Sequence, residues 1–234
     1  MRYLWSTATH PGRARPINED AVHPTDAGMG DSVLLVVADG LGGHIGGEVA
    51  SKLAIEVASD PALTPAEAVL SANRAILAEV ASRPRLAGMA TTMTLARLDA
   101  DGSAHFAHVG DSRGYLLRQG KLRRLTQDHS VVAEYVASGK LTEKEAENHP
   151  QRSLVTRALG LEFHLEVDEF EEPLEQGDRL LLCSDGLTVM IDDDHIRPLL
   201  GSGTPEEAVW ALIEAANTAG GHDNITVAVA DALE

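Results

Sequence analysis

Short, largely apolar runs that stop at turn residues set the pattern of this chain. Val33–Ala38 gives way to Asp39-Gly40, and Ala104–Val109 to Gly110-Asp111. Arg179–Cys183 ends at Ser184-Asp185-Gly186, and Ile225–Ala230 follows Asp223-Asn224. Runs this short read as strands, and their continuity predicts burial on both faces. Helices are marked by their caps. Thr64-Pro65-Ala66-Glu67 and Thr204-Pro205-Glu206-Glu207 each place a capping hydroxyl before a proline, with a glutamate three residues after the cap. The first predicts a helix to about Ser82, with Val69, Ala72, Ile76 and Val80 on one face. The second runs to about Thr218 and stops at Gly220-Gly221. Ala50, Leu53, Ala54 and Val57 mark a further helix. Residues 129–151 read as two short helices, the second capped by Thr142 with Glu145. Arg118-Gln119-Gly120-Lys121 joins two strands by a tight turn.

The resulting order is strands, two helices, strands, a helical insert, strands, one helix and a last strand. It lacks the alternation of a Rossmann fold. It predicts an α+β fold of largely antiparallel sheets packed together, with helices outside. No Pro/Gly/Ser-rich linker and no long repeat divides the chain, so one domain over residues 1–234 is expected.

Charge narrows the partners. Among 234 residues, 36 are Asp or Glu and 19 are Lys or Arg, for a net charge of −17. Binding to nucleic acid or to an anionic membrane is not expected of such a chain. Apolar residues make up 44%, which fits an ordered core. The lone cysteine, Cys183, lies in an apolar run and reads as a small buried hydrophobe. No window approaches the ~18 apolar residues of a membrane helix, and no secretory pattern opens the chain. A soluble cytoplasmic protein is expected.

The chemistry lies in where certain acids sit. Asp39, Asp111 and Asp185 each follow an apolar run closely, and Asp223 precedes one. Gly40, Gly110 and Gly186 stand beside the first three. Asn18-Glu19-Asp20 adds acids at the end of the first strand region. Any one Asp-Gly is also an ordinary turn. If these acids converge, they need a compensating charge, and oxygen ligands select hard cations such as Mg²⁺, Mn²⁺ or Ca²⁺. Two such ions bridged by a water suit in-line attack on phosphorus. Arg15 has the shape to grip two phosphate oxygens, or to form a surface ion pair with Glu19 or Asp20. The run Glu166, Asp168, Glu169, Glu171, Glu172, Glu175 and Asp178 has no basic residue within it and reads as a solvated face.

Eight elements in order carry a resemblance. They are Gly12–Asp20, Val37–His44, Gly88–Thr92, His108–Arg113, Leu125–Ser130, Thr156–Gly160, Leu182–Leu187 and Gly221–Val227. Through them the chain resembles the metal-dependent Ser/Thr protein phosphatases, the PPM or type 2C class, in their compact bacterial form. The resemblance implies a four-layer α-β-β-α sandwich, two mainly antiparallel sheets flanked by helices, with two Mn²⁺ or Mg²⁺ ions at one edge and a third, weaker one. It implies that Asp39 bridges two ions and that the Gly40 carbonyl binds one of them. Asp185 and Asp223 match ligands of the other ion. Asp20, with Glu19, matches acids on a metal or its waters, and Asp111 with Asp185 matches the third site. Arg15 matches the phosphate-binding arginine, and Asn224 is expected to orient the ligand before it. Residues 129–151 match a flap beside the site.

The implied reaction is hydrolysis of phosphoserine and phosphothreonine in proteins, the targets of a Ser/Thr kinase. Asp39 and Asp20 would be central to it. Some eukaryotic relatives carry a histidine two residues after the bridging aspartate, where this chain has Leu41. His44 is the candidate to protonate the leaving alkoxide, unless it only lines the cleft and a metal-bound water does so. Alternatives are a phosphoprotein-binding module of the same fold, a phosphatase of anti-sigma-factor antagonists, and a hydrolase of small phosphoesters. His108 and His129 read as structural.

Overall fold

The computed structural model describes residues 1–41, 45–147 and 149–234. The first half of the chain runs β1 (Arg2–His10), β2 (Ala21–His23), β3 (Gly28–Gly30), β4 (Val33–Ala38), β5 (Gly40–Leu41), α1 (Ile45–Ala58), α2 (Pro65–Ser82), β6 (Ala90–Thr91), β7 (Met93–Leu98) and β8 (Ser103–Val109). The second half runs β9 (Arg113–Arg118), β10 (Lys121–Arg124), α3 (Val131–Ala137), α4 (Glu143–Glu147), β11 (Asp168–Pro173), β12 (Arg179–Cys183), α5 (Asp185–Thr188), α6 (Asp193–Leu200), α7 (Pro205–Thr218) and β13 (Ile225–Leu233).

One sheet has the order β10-β9-β12-β13-β1-β3 and the other β11-β8-β7-β4-β2, while β5 and β6 form a small ribbon. The pairings β1·β13, β12·β13, β4·β7 and β7·β8 are all antiparallel. The continuous apolar strands divide by alternation. Val33, Leu35 and Val37 of β4 join Leu180 and Leu182 of β12 and Ala228 and Ala230 of β13 in a core between the sheets. The intervening residues face outward. Val36 packs with Ala50, Ala54, Val69 and Ile76 of α1 and α2. Leu181, Cys183, Val227 and Val229 pack with Val209, Leu212 and Ile213 of α7. A period of two thus serves two cores at once, and the expected four layers result.

Both capping boxes form. Thr64 and Thr204 each cap their helix reciprocally with Glu67 and Glu207. In the flap, Thr142 Oγ1 and the Glu145 side chain do the same at α4. Two expectations need correction. Three helices, not one, separate β12 from β13. The acidic run is not merely a solvated face: its middle is the edge strand β11, paired with β8 along Asp168↔His108 to Pro173↔Ser103. Phe170 anchors it by stacking on Phe106 at 4.6 Å.

Candidate metal and phosphate site

Strand direction gathers the acids. β4 and β8 both run antiparallel to β7, so they run the same way, and Asp39 and Asp111 leave one edge together. β2 pairs with β4 at Ala21↔Ala38, which puts Asp20 beside Asp39. In the other sheet, Cys183 pairs with Val227, so Asp185 leaves β12 where Asp223 leads into β13. Asn18, Glu19 and Asp20 stand on the loop entering β2, not at the end of the first strand.

Asp20 joins the two sheets. It is 5% exposed, and its Oδ2 accepts from Ser184 Oγ at 2.8 Å and Thr226 Oγ1 at 2.6 Å. Its Oδ1 is buried with no hydrogen-bond partner among the described residues. The carboxyls of Asp39 and Asp185 lie within hydrogen-bonding reach of each other. Burial pushes Asp20 up to about 7, Asp111 to about 8 and Asp185 to about 6, and neighbouring acids add to each shift. Asp39 is raised well above the ordinary value by burial and then by Asp20, Asp185, Asp111 and Asp223.

The backbone around Asp39 is held on both sides. Its N–H donates to Thr92 Oγ1 at 3.1 Å, and its carbonyl accepts from Thr91 Oγ1 and the Thr92 N–H, each at 2.8 Å. Gly40 is packed so closely that a Cβ there would lie 2.5 Å from the Glu19 carbonyl oxygen and 2.4 Å from that of Gly47. Only glycine lets those three backbones meet. The Glu19 carbonyl also accepts from Ser51 Oγ at 2.6 Å.

Asn224 does more than orient its neighbour. Its backbone N–H donates to Asp223 Oδ1 at 2.9 Å. Its side-chain oxygen accepts the Glu19 N–H, and its amide nitrogen donates to the Pro11 and Ile17 carbonyls. This one side chain clips down the loop that carries Arg15. Arg15 Nη2 lies 2.7 Å from Asp223 Oδ2, so its ion-pair partner is Asp223 rather than Glu19 or Asp20.

His44 lies outside the described residues. Arg15, Glu19, Asp20, Asp39, Gly40, Asp111, Asp185, Asp223 and Asn224 all come to this one edge. Among the described residues no three metal-binding side chains close into a finished cage; facing carboxylates repel one another. The donors nevertheless suit a hard cation: they are oxygens, they crowd together with Arg15 and Arg113 as nearby basic groups, and among the described residues Asp20 Oδ1 lacks a donor. Ser184, Thr226, Thr91 and Thr92 support the site without any signal in the sequence that names their role. All four stand inside the motifs Gly88–Thr92, Leu182–Leu187 and Gly221–Val227, but their partners are far away in sequence.

Comparison with known proteins decides the family. The model of the family described as protein phosphatase 2C matches residues 12–212. The chain belongs to this family. The serine/threonine phosphatase stp of Listeria monocytogenes is 40% identical over 233 residues, which is 94% of this chain and 92% of that one. The crystal structure of the Mycobacterium tuberculosis serine/threonine phosphatase PstP/Ppp matches with a TM-score of 0.91 at 40% identity over 100% of both chains. The PstP catalytic domain in complex with two manganese ions matches at 0.88, with 38% identity and 100% of both chains covered.

Proposed function

We propose that this chain hydrolyses phosphoserine and phosphothreonine in proteins, with water as nucleophile at a pair of Mn²⁺ or Mg²⁺ ions. The observation that carries this reading is the buried Asp20 Oδ1, without a donor among the described residues, set among Asp39, Asp185 and Asp223. Asp39 with the Gly40 carbonyl, and Asp185 with Asp223, would hold the ions. Asp20 and Glu19 would hold metal or its waters, and Asp111 with Asp185 a third ion. When bound, the ions lower the pKa of water and offset charge on the phosphoryl oxygens.

The other steps belong to the chain itself. Arg15 is 44% exposed, and its guanidinium can leave Asp223 to grip phosphate oxygens in pairs. Thr91 and Thr92 keep the Asp39 backbone from shifting as charge develops. Cys183 cannot compete as a nucleophile, because burial pushes its thiol up to about 12. In this reading residues 1–234 form one catalytic domain, with 129–151 as its flap. Substrates written by a Ser/Thr kinase in the cytoplasm go with this reading. The name of the Listeria relative and the two manganese ions of the PstP domain support its metal-dependent phosphatase chemistry.

The test is phosphate release from a phosphothreonine peptide with Mn²⁺ and with a chelator. Release with Mn²⁺ that stops on chelation is expected. Release indifferent to chelation would sink the metal reading.

A further inference from the structure

The flap joins the body by a narrow neck. Val131 N–H donates to the Leu154 carbonyl at 2.9 Å, and Thr156 N–H to the His129 carbonyl at 2.7 Å. Ser130 and Val155 form an isolated bridge between these. The neck is bolted to the turn that carries Asp111. His129 N–H donates to the Gly110 carbonyl at 2.8 Å, and Gly110 N–H donates to His129 Nδ1 at 3.0 Å. Gly110 holds φ +113° and packs against Thr92, which itself touches Asp39, so a displacement of the turn is felt at the backbone that carries Asp39.

The Gly110 contact orients the ring. An N–H aimed at Nδ1 makes that nitrogen an acceptor, so a neutral ring carries its proton on Nε2. Nε2 lies 3.2 Å from Asp168 Oδ2, which can accept that proton's hydrogen bond, and also 3.2 Å from Arg157 Nη1, which Asp168 holds by an ion pair. Arg157 Nη1, 3.0 Å from Asp168 Oδ1, completes a clasp between the end of the neck and β11. The ring is 6% exposed, and burial lowers its pKa, which keeps it neutral.

We propose that His129 is a positioning residue that couples the flap to Asp111, acting through Nδ1 on the Gly110 amide while Asp168 accepts from Nε2. A flap that moves on a protein substrate then moves the Asp111 turn with it. The coupling rests on the phosphatase reading for its effect on turnover, but not for its effect on the backbone.

The experiment compares His129→Asn with His129→Gln in the Mg²⁺-loaded protein. Asn can place an acceptor where Nδ1 was, and Gln places its polar atoms nearer Nε2. The measurements are amide exchange at Gly110 and across the flap, and kcat and KM on a phosphothreonine peptide. His129→Gln is expected to speed exchange at Gly110 and to cut peptide turnover by about 10–100-fold, the usual loss when a support of a metal ligand is removed. His129→Asn is expected to restore most of both. Equal behaviour of the two variants, or a Gly110 amide indifferent to both, would overturn the proposal. If neither variant folds, the ¹⁵N shifts of the parent ring decide: a protonated Nδ1 overturns it, and an unprotonated Nδ1 supports it. A parent that exchanges as described but turns over no phosphopeptide would count against the phosphatase reading alone.

Discussion

Two acid-rich regions face solvent differently in this molecule. At the site edge, Asp20, Asp39, Asp111 and Asp185 are all raised by burial and crowding, and Arg15 is the basic residue paired there, with Asp223. Along β11 and its flanks, the acids have partners from other elements. Arg157 meets Asp168, Arg123 meets Glu172, and Arg118 meets Asp178. Asp168 is lowered: burial works against it, but His129 and Arg157 outweigh that. Acid density is thus no guide to chemistry. What distinguishes the two regions is whether the protein supplies its own cations.

The largest effect expected of that difference is at Asp39. Asp39→Ala should lose about 10³-fold or more in Mn²⁺-dependent turnover, the scale of several kcal/mol of metal-borne stabilisation. In chelator, Asp39→Asn should melt higher than the parent, since it removes one of several repelling buried charges. A parent that melts higher than the variant would break the comparison at its root.

pH should separate the regions next. The site acids hold protons in the folded state that they lose near 3.8 when unfolded, with folded values of about 6 to about 8. The folded state therefore binds more protons, and metal-free stability should fall as pH climbs from about 4 to about 8. Added Mn²⁺ should flatten or reverse that slope by expelling those protons. Denaturant midpoints at pH 5 and pH 8, with and without chelator, test the sign; higher metal-free stability at pH 8 contradicts it.

On the other side, Asp178 is 2% exposed on its side chain and receives Arg118 through two nitrogens and the Glu175 N–H. Asp178→Ala should cost about 2–3 kcal/mol, less than a fully buried pair because Arg118 is part-exposed. Peptide turnover per folded molecule should not change, and a large loss of kcat would tie this region to the site. Arg15→Ala should raise KM for phosphopeptides about tenfold with a smaller change in kcat; an unmoved KM would leave Arg15 as a partner of Asp223 alone. The smallest effect belongs to the exposed Arg123, where Arg123→Ala should stay within about 1 kcal/mol by chemical denaturation.

Local signals carried most of the fold into the sequence. Both capping boxes are written within four residues, so α2 and α7 were legible to the residue. β4 and β12 were legible because continuous apolar runs ended at Asp and Ser. α6 was missed because its cap, Asp192, is followed at the third helical position by His195 rather than an acid, and Pro198 lies inside it. β11 was missed because Asp-Glu-Phe-Glu-Glu-Pro offers one apolar residue; pairing with β8 makes it a strand. The site acids were legible as a repeated placement at strand ends. Their support was not: Ser184 and Thr226 meet Asp20 across 164 and 206 residues, and no local pattern records that.

The pairing of β1 with β13 has a consequence for how the protein comes into being. Thr9 and Thr226 share a hydrogen bond across 217 residues, and Asp20 awaits the Thr226 hydroxyl over nearly the same span. A ribosome adding about 5–20 residues per second takes roughly 10–40 s to cover that gap. Through that interval the first strand has no β13 to lie against, and Asp223 does not yet exist. The edge that gathers Asp20, Asp185 and Asp223 is therefore incomplete until the last strand closes on the first.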